Sequence, residues 1–124
     1  MQVVSSQALP PPSGPYSHAI IVNGMIYTAG QIATVPSTGA LVEGGIQEQT
    51  RQVLENIRAV LEAAGSGLNK VVKCNVYLQS MDDFAAMNEV YASFFPEKPP
   101  ARTTVEVARL PRNALIEIET VAMV

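Results

Sequence analysis

The chain has 124 residues, 48% of them hydrophobic and 15% charged, with a formal charge of −3. That describes one domain, residues 1–124, burying about two thirds of the surface its unfolded form exposes, without the basic run that a nucleic-acid footprint requires. A single cysteine, Cys74, excludes an internal disulfide and fits a reducing compartment, and no apolar run approaches the ~20 residues of a membrane span. The start has neither the basic–apolar order of a secretory signal nor the arginines of a transit peptide. A cytoplasmic location is expected, or a mitochondrial one for a form that has lost a presequence.

The first fifteen residues include Pro10-Pro11-Pro12, which favours an extended backbone. Asn23-Gly24 then separates two apolar runs, a strong hairpin signal because both central residues of a type I′ turn need positive φ. Strands are expected over 17–22 and 25–32, with a turn at 36–39 and room for a further short strand before Gly44-Gly45. From Ile46 the period becomes helical: Val53, Leu54, Ile57, Val60, Leu61 and Ala64 fall on one face and Arg51, Glu55, Arg58 and Glu62 on another. Gly65 should cap that helix in the left-handed conformation. Val72, Cys74, Val76 and Leu78 then alternate as a strand. Ser80 caps a second helix whose apolar stripe is Phe84, Met87, Tyr91 and Phe94, and Pro96 closes it.

Two alternating segments finish the chain. On the first, Arg102, Thr104 and Glu106 share a face; on the second, Glu117 and Glu119 lie opposite Ile116, Ile118 and Ala122. The break between them lets the strands pair or lie close in one sheet. An arginine and a carboxylate brought together on such a face, beside a threonine hydroxyl, would suit a small carboxylic acid. The order β-β-(β)-α-β-α-β-β puts both helices on one face of a mixed sheet, a two-layer α+β fold. Apolar residues on both faces of the last strand and of the strand holding Ile20, Ile21 and Val22, with helices for only one face, predict that another copy of the chain covers the rest. The single histidine, His18, and the single thiol make no ligand set for a metal.

Three segments together carry a resemblance: Gly14-Pro-Tyr16-Ser-His-Ala19, Thr28-Ala29-Gly30-Gln31-Ile32, and the string from Pro100 through Arg102 to Pro111 followed by Ile116-Glu117-Ile118-Glu119. In order and spacing, over nearly the whole chain, they resemble the reactive-intermediate deaminase (Rid, formerly YjgF) family. The resemblance implies a chorismate-mutase-like α+β fold, a homotrimer with sites between subunits, no cofactor and no metal. It also implies hydrolysis of enamines and imines such as 2-aminoacrylate, released by pyridoxal-phosphate dehydratases, to 2-keto acids and ammonia. By the same resemblance Arg102 holds the substrate carboxylate, Glu117 handles the attacking water, and Tyr16, Ala29, Gly30, Asn88 and Thr104 line the pocket. Many deaminating members have serine at the position of Ala29 and cysteine at that of Thr104. The resemblance thus leaves substrate preference open. The same scaffold allows a carboxylate-binding regulator without Glu117 chemistry, or the ribonuclease and translation-inhibitor activity attached to some members, against which the acidic balance counts.

Overall fold

The computed structural model describes residues 1–124. Six strands, β1 (Gln2–Val4), β2 (Ala19–Val22), β3 (Met25–Thr28), β4 (Val71–Leu78), β5 (Ala101–Glu106) and β6 (Ile116–Met123), and two helices, α1 (Ile46–Ala63) and α2 (Phe84–Phe94), form the fold. The strands make one sheet in the order β1-β2-β3-β6-β4-β5. All pairs are antiparallel except β4 with β5. The expected two-layer α+β fold with a mixed sheet is what the chain adopts.

Local chemistry explains most of the elements. Asn23 (φ 50) and Gly24 (φ 75) take the positive angles that the β2–β3 turn needs. At the end of α1, Gly65 adopts φ 80, its N–H bonds to the Glu62 carbonyl and the Ser66 N–H to the Leu61 carbonyl. Those two bonds form a Schellman cap. Ser80 accepts the Asp82 N–H through its hydroxyl. It thereby caps a one-turn 3-10 segment, Met81–Asp83, that leads into α2.

The core lies between the helices and one sheet face. Val53, Leu54, Ile57, Val60 and Leu61 of α1 pack with Ile26, Cys74, Val76, Leu78, Ile116, Ile118 and Met87, all buried. At about 25 cal/mol per Å² of apolar surface removed from water, this interior dominates the folding energy. The opposite face has no helix. It exposes Val3, Tyr27, Val105 and Met123 around a polar patch in which Tyr77 and Asn75 donate to Glu119 Oε1, at 2.8 and 3.1 Å.

Four details differ from the sequence expectations. Strand β1, hydrogen-bonded to β2, was not anticipated: three residues are too short to carry a period. Strand β3 ends at Thr28 rather than 32, because the chain steps away and rejoins β6 only at the Gln31–Ile118 bridge. The further short strand before Gly44 is reduced to the single bridge Thr34–Leu41. Val72, expected to share a face with Cys74, is exposed, because the β4–β6 register shifts between Val71 and Lys73 and a bulge turns one side chain over.

Candidate active site

Strand β4 runs between β5 and β6, so the two terminal strands lie in one sheet but do not touch. The register aligns Arg102 with Cys74, and Cys74 with Thr120, all on the helix-covered side. Glu117 aligns with Tyr77 on the bare side. Within one chain Arg102 and Glu117 therefore occupy opposite faces of the sheet. The two groups that the sequence suggested would meet on one face are separated by the sheet itself.

Each sits in its own cluster. Glu117 lies in a cavity of about 600 Å³ whose lining includes Tyr16, Ala29, Gly30, Gln31, Pro111 and Arg112. Gly30 is there for space: a Cβ on it would stand 2.6 Å from Glu117 Oε1 and 2.9 Å from Cδ, closer than non-bonded atoms tolerate. Burial, and then the neighbouring charge of Glu119, raise the Glu117 carboxyl above its ordinary value. Such a group gains basicity and can both take a proton from water and return one to a leaving nitrogen. Ala29 offers only backbone here, and its N–H bonds to the His18 carbonyl.

The walls of this cavity are tied down individually. The Tyr16 hydroxyl meets Ser13, whose N–H donates to it at 3.3 Å, and its N–H bonds to the Gly14 carbonyl, so the ring is held back over the turn. His18 is 4% exposed. Its Nδ1 accepts the Ser6 N–H and its Nε2–H donates to the Pro10 carbonyl, both at 3.0 Å, which holds the Leu9–Pro12 wall against the sheet. From α1, buried Asn56 donates to the carbonyls of Ile32 (3.2 Å) and Thr34 (2.9 Å). Gln52 donates to its Oδ1 in turn. Arg112, at φ 57, donates to the Gly39 carbonyl. Sequence reading missed Asn56, Gln31 and Arg112. Asn56 carried a signal, an amide flanked by apolar positions on α1, whereas the other two depend on folding.

The second cluster gathers Arg102, Thr104 and Asn88. Arg102 and Thr104 are alternate residues of β5, and Asn88 is half-buried on α2. The Arg102 guanidinium lies 4.6 Å from the centre of the Tyr91 ring and 5.5 Å from that of Phe84, and no carboxylate pairs with it. The only ion pair in the chain is Arg58–Glu55. The Thr104 and Tyr91 hydroxyls are buried without a hydrogen-bond partner. Orphaned hydroxyls beside an unpaired guanidinium mark a place where an anion with several acceptor sites would satisfy groups the chain leaves open. Cys74, inside this cluster, has its thiol pushed up by burial, which favours the protonated form over the thiolate. No three histidine, cysteine or acidic side chains converge as metal ligands would.

The family model described as Endoribonuclease L-PSP matches residues 6–124. The chain belongs to the Rid family. It is 56% identical to a RutC family protein of Pyrococcus horikoshii, over 98% of this chain and 96% of that one. With the mouse 2-iminobutanoate/2-iminopropanoate deaminase it shares 43% identity, over 98% of this chain and 90% of the relative. Escherichia coli TdcF, solved with bound serine, superposes at a TM-score of 0.95 with 36% identity, covering all of this chain and 99% of TdcF. These Rid neighbours match the two helices and mixed sheet found here.

Proposed function

We propose that this chain hydrolyses reactive 2-enamine and 2-imine acids to 2-keto acids and ammonia, in clefts shared between the subunits of a homotrimer, with residues 1–124 acting as one domain. The observation that carries this reading is the division of the candidate residues into two incomplete halves. One holds a carboxylate of raised basicity in a cavity, and the other holds an unpaired arginine with orphaned hydroxyls. A second copy docked on the bare sheet face would let one chain's Arg102 half meet the other's Glu117 half. Deaminase relatives at 40–43% identity support the chemistry. The serine bound to TdcF is an amino acid of the size and carboxylate type that such a cleft would take.

In this scheme Arg102 grips the substrate carboxylate through two parallel N–H bonds, orienting the adjacent C=N. Thr104 and Asn88 satisfy the remaining acceptors. Water adds to the carbon of the protonated imine as Glu117 takes one of its protons, and the C=N electron pair stays on nitrogen to give a neutral carbinolamine. Glu117 passes that proton to the nitrogen, and the C–N bond then breaks as the hydroxyl oxygen gives up its own proton to Glu117, releasing ammonia as the carbonyl forms. Tyr16, Ala29 and Gly30 shape the wall beside Glu117. The alternative activity in the family model's description, RNA cleavage, finds no comparable support. Both nitrogens of the sole imidazole are engaged by Ser6 and Pro10, and the chain is acidic.

The test is to mix the protein with a serine or threonine dehydratase and follow 2-keto acid release, with semicarbazide trapping the surviving imine. Acceleration by the wild type and its loss in Arg102→Ala and Glu117→Gln are expected. No acceleration by the wild-type protein would leave a carboxylate-binding role as the better reading.

A further inference from the structure

The sequence assigns Phe84 and Tyr91 to the apolar stripe of α2, and they do pack there: Tyr91 is 5% exposed and its ring lies 4.8 Å from that of Phe95. Packing alone does not account for Arg102. Phe84, Asn88 and Tyr91 stand at i, i+4 and i+7, one stripe of α2. Across from that stripe, at the outer edge of the sheet, the Arg102 guanidinium lies over both rings.

We infer that Tyr91, with Phe84, is a positioning residue for Arg102: an aromatic tray that steadies the guanidinium and leaves its N–H edge open to a carboxylate. The inference rests on the proposed reading of Arg102 as the carboxylate grip. A guanidinium has two flat faces without donors and an edge carrying five N–H groups. Ring faces are electronegative and attract a cation without needing those N–H groups. An acidic partner would hold Arg102 just as firmly, but through the very edge a substrate needs.

The chain contains its own contrast. Arg58 also lies over a ring, 5.3 Å from the centre of Phe94. Its Nη1, however, already donates to both oxygens of Glu55, at 2.8 and 2.7 Å, so a carboxylate of the same chain sits on its N–H edge. Arg102 has two rings and no carboxylate. The Tyr91 phenol is pushed far up, by burial first and then by Cys74, so it stays neutral and adds no charge to the tray.

The experiment measures 2-ketobutyrate binding by calorimetry, and kcat and KM with dehydratase-generated imine, for wild type, Tyr91→Phe, Tyr91→Leu, Phe84→Leu and Arg102→Ala. Tyr91→Phe keeps the ring face and loses only the hydroxyl, so it should weaken binding and raise KM clearly less than Tyr91→Leu does. Tyr91→Leu and Phe84→Leu should weaken 2-ketobutyrate binding and raise KM about five- to tenfold, with kcat changed less than about twofold. Should Tyr91→Leu fail to fold, the half-buried Phe84 position decides. Leucine variants that fold and bind as wild type, or that lose kcat alone, would overturn the tray, as would a Tyr91→Phe as weak as Tyr91→Leu. Arg102→Ala separates the two levels. If it alone weakens binding, the grip stands and the tray falls. If wild type binds no 2-ketobutyrate, or Arg102→Ala binds it as well as wild type, the grip falls and the tray with it.

Discussion

Glu117 shows how a single side chain can be tuned by what is missing beside it. The carboxylate occupies space that any side chain at position 30 would take. Gly30→Ala should therefore fold, since the end of a glutamate can swing away, yet lose on the order of a hundredfold in kcat/KM because displacement of about 1 Å at a reacting group is that costly. Raised basicity also sets the pH behaviour. As the base form is needed, the acid limb of kcat/KM against pH should lie above the ordinary carboxylate range, and Glu117→Gln should abolish that limb together with turnover. The stability effect has the opposite direction. A carboxyl whose folded-state pKa exceeds its unfolded value favours folding less as pH rises through the interval between the two. Glu117→Gln should thus melt above wild type at neutral pH, and the gap should close on acidification. A melt showing wild type as the more stable protein at neutral pH would mean the charge is held by a partner even without ligand.

At the scale of elements, the cavity depends on α1 reaching across to the loop that follows β3. Asn56→Ala would strip two carbonyls, those of Ile32 and Thr34, of their donor. About 2 kcal/mol of stability should go, read as a lower denaturant midpoint, and hydrogen exchange in residues 31–35 should speed up. Such a dependence was hard to see in the sequence. Local chemistry was legible: the Asn23-Gly24 turn, the Gly65 cap and the helical spacing from Val53 to Leu61 each follow from the residues involved. So was the set of residues sharing a face on each terminal strand. What alternation could not say was which of those faces meets the helices, because that depends on pairing with β4. Once the β4–α2–β5 crossover sets β5 outside β4, Arg102 faces α2 while Glu117 points the other way. The same dependence hid the bulge at Val72, which exists only through its pairing with β6. Of the candidate site residues, Tyr16, Ala29, Gly30 and Glu117 were found lining one cavity. Arg102 and Thr104 were found on the edge strand β5 and Asn88 on α2, beside rings whose spacing had suggested core alone.

For the whole molecule, the proposed shared cleft makes a prediction that no single-chain site can imitate. Arg102→Ala and Glu117→Gln are each expected to be inactive. Unfolded together and reassembled in equal amounts, they should regain about a quarter of wild-type activity, because a cleft that draws one group from each neighbour is intact when the right pair of chains meets. Mixed assemblies as inactive as their parents would return both residues to one chain or to none. Sedimentation equilibrium should show a trimer at micromolar concentration. A monomer there would remove the bare sheet face as an interface. The placement of Arg102 and Glu117 on opposite sides of one packed sheet has a last consequence, for dosage. No rotation of a side chain can carry either group through a hydrogen-bonded sheet, so a lone subunit would be silent rather than merely slow. Specific activity should then rise with protein concentration and level off only once subunits are fully associated. Below that point, halving the number of chains in a cell would more than halve the capacity to clear substrate, and output would follow encounters between copies rather than their count.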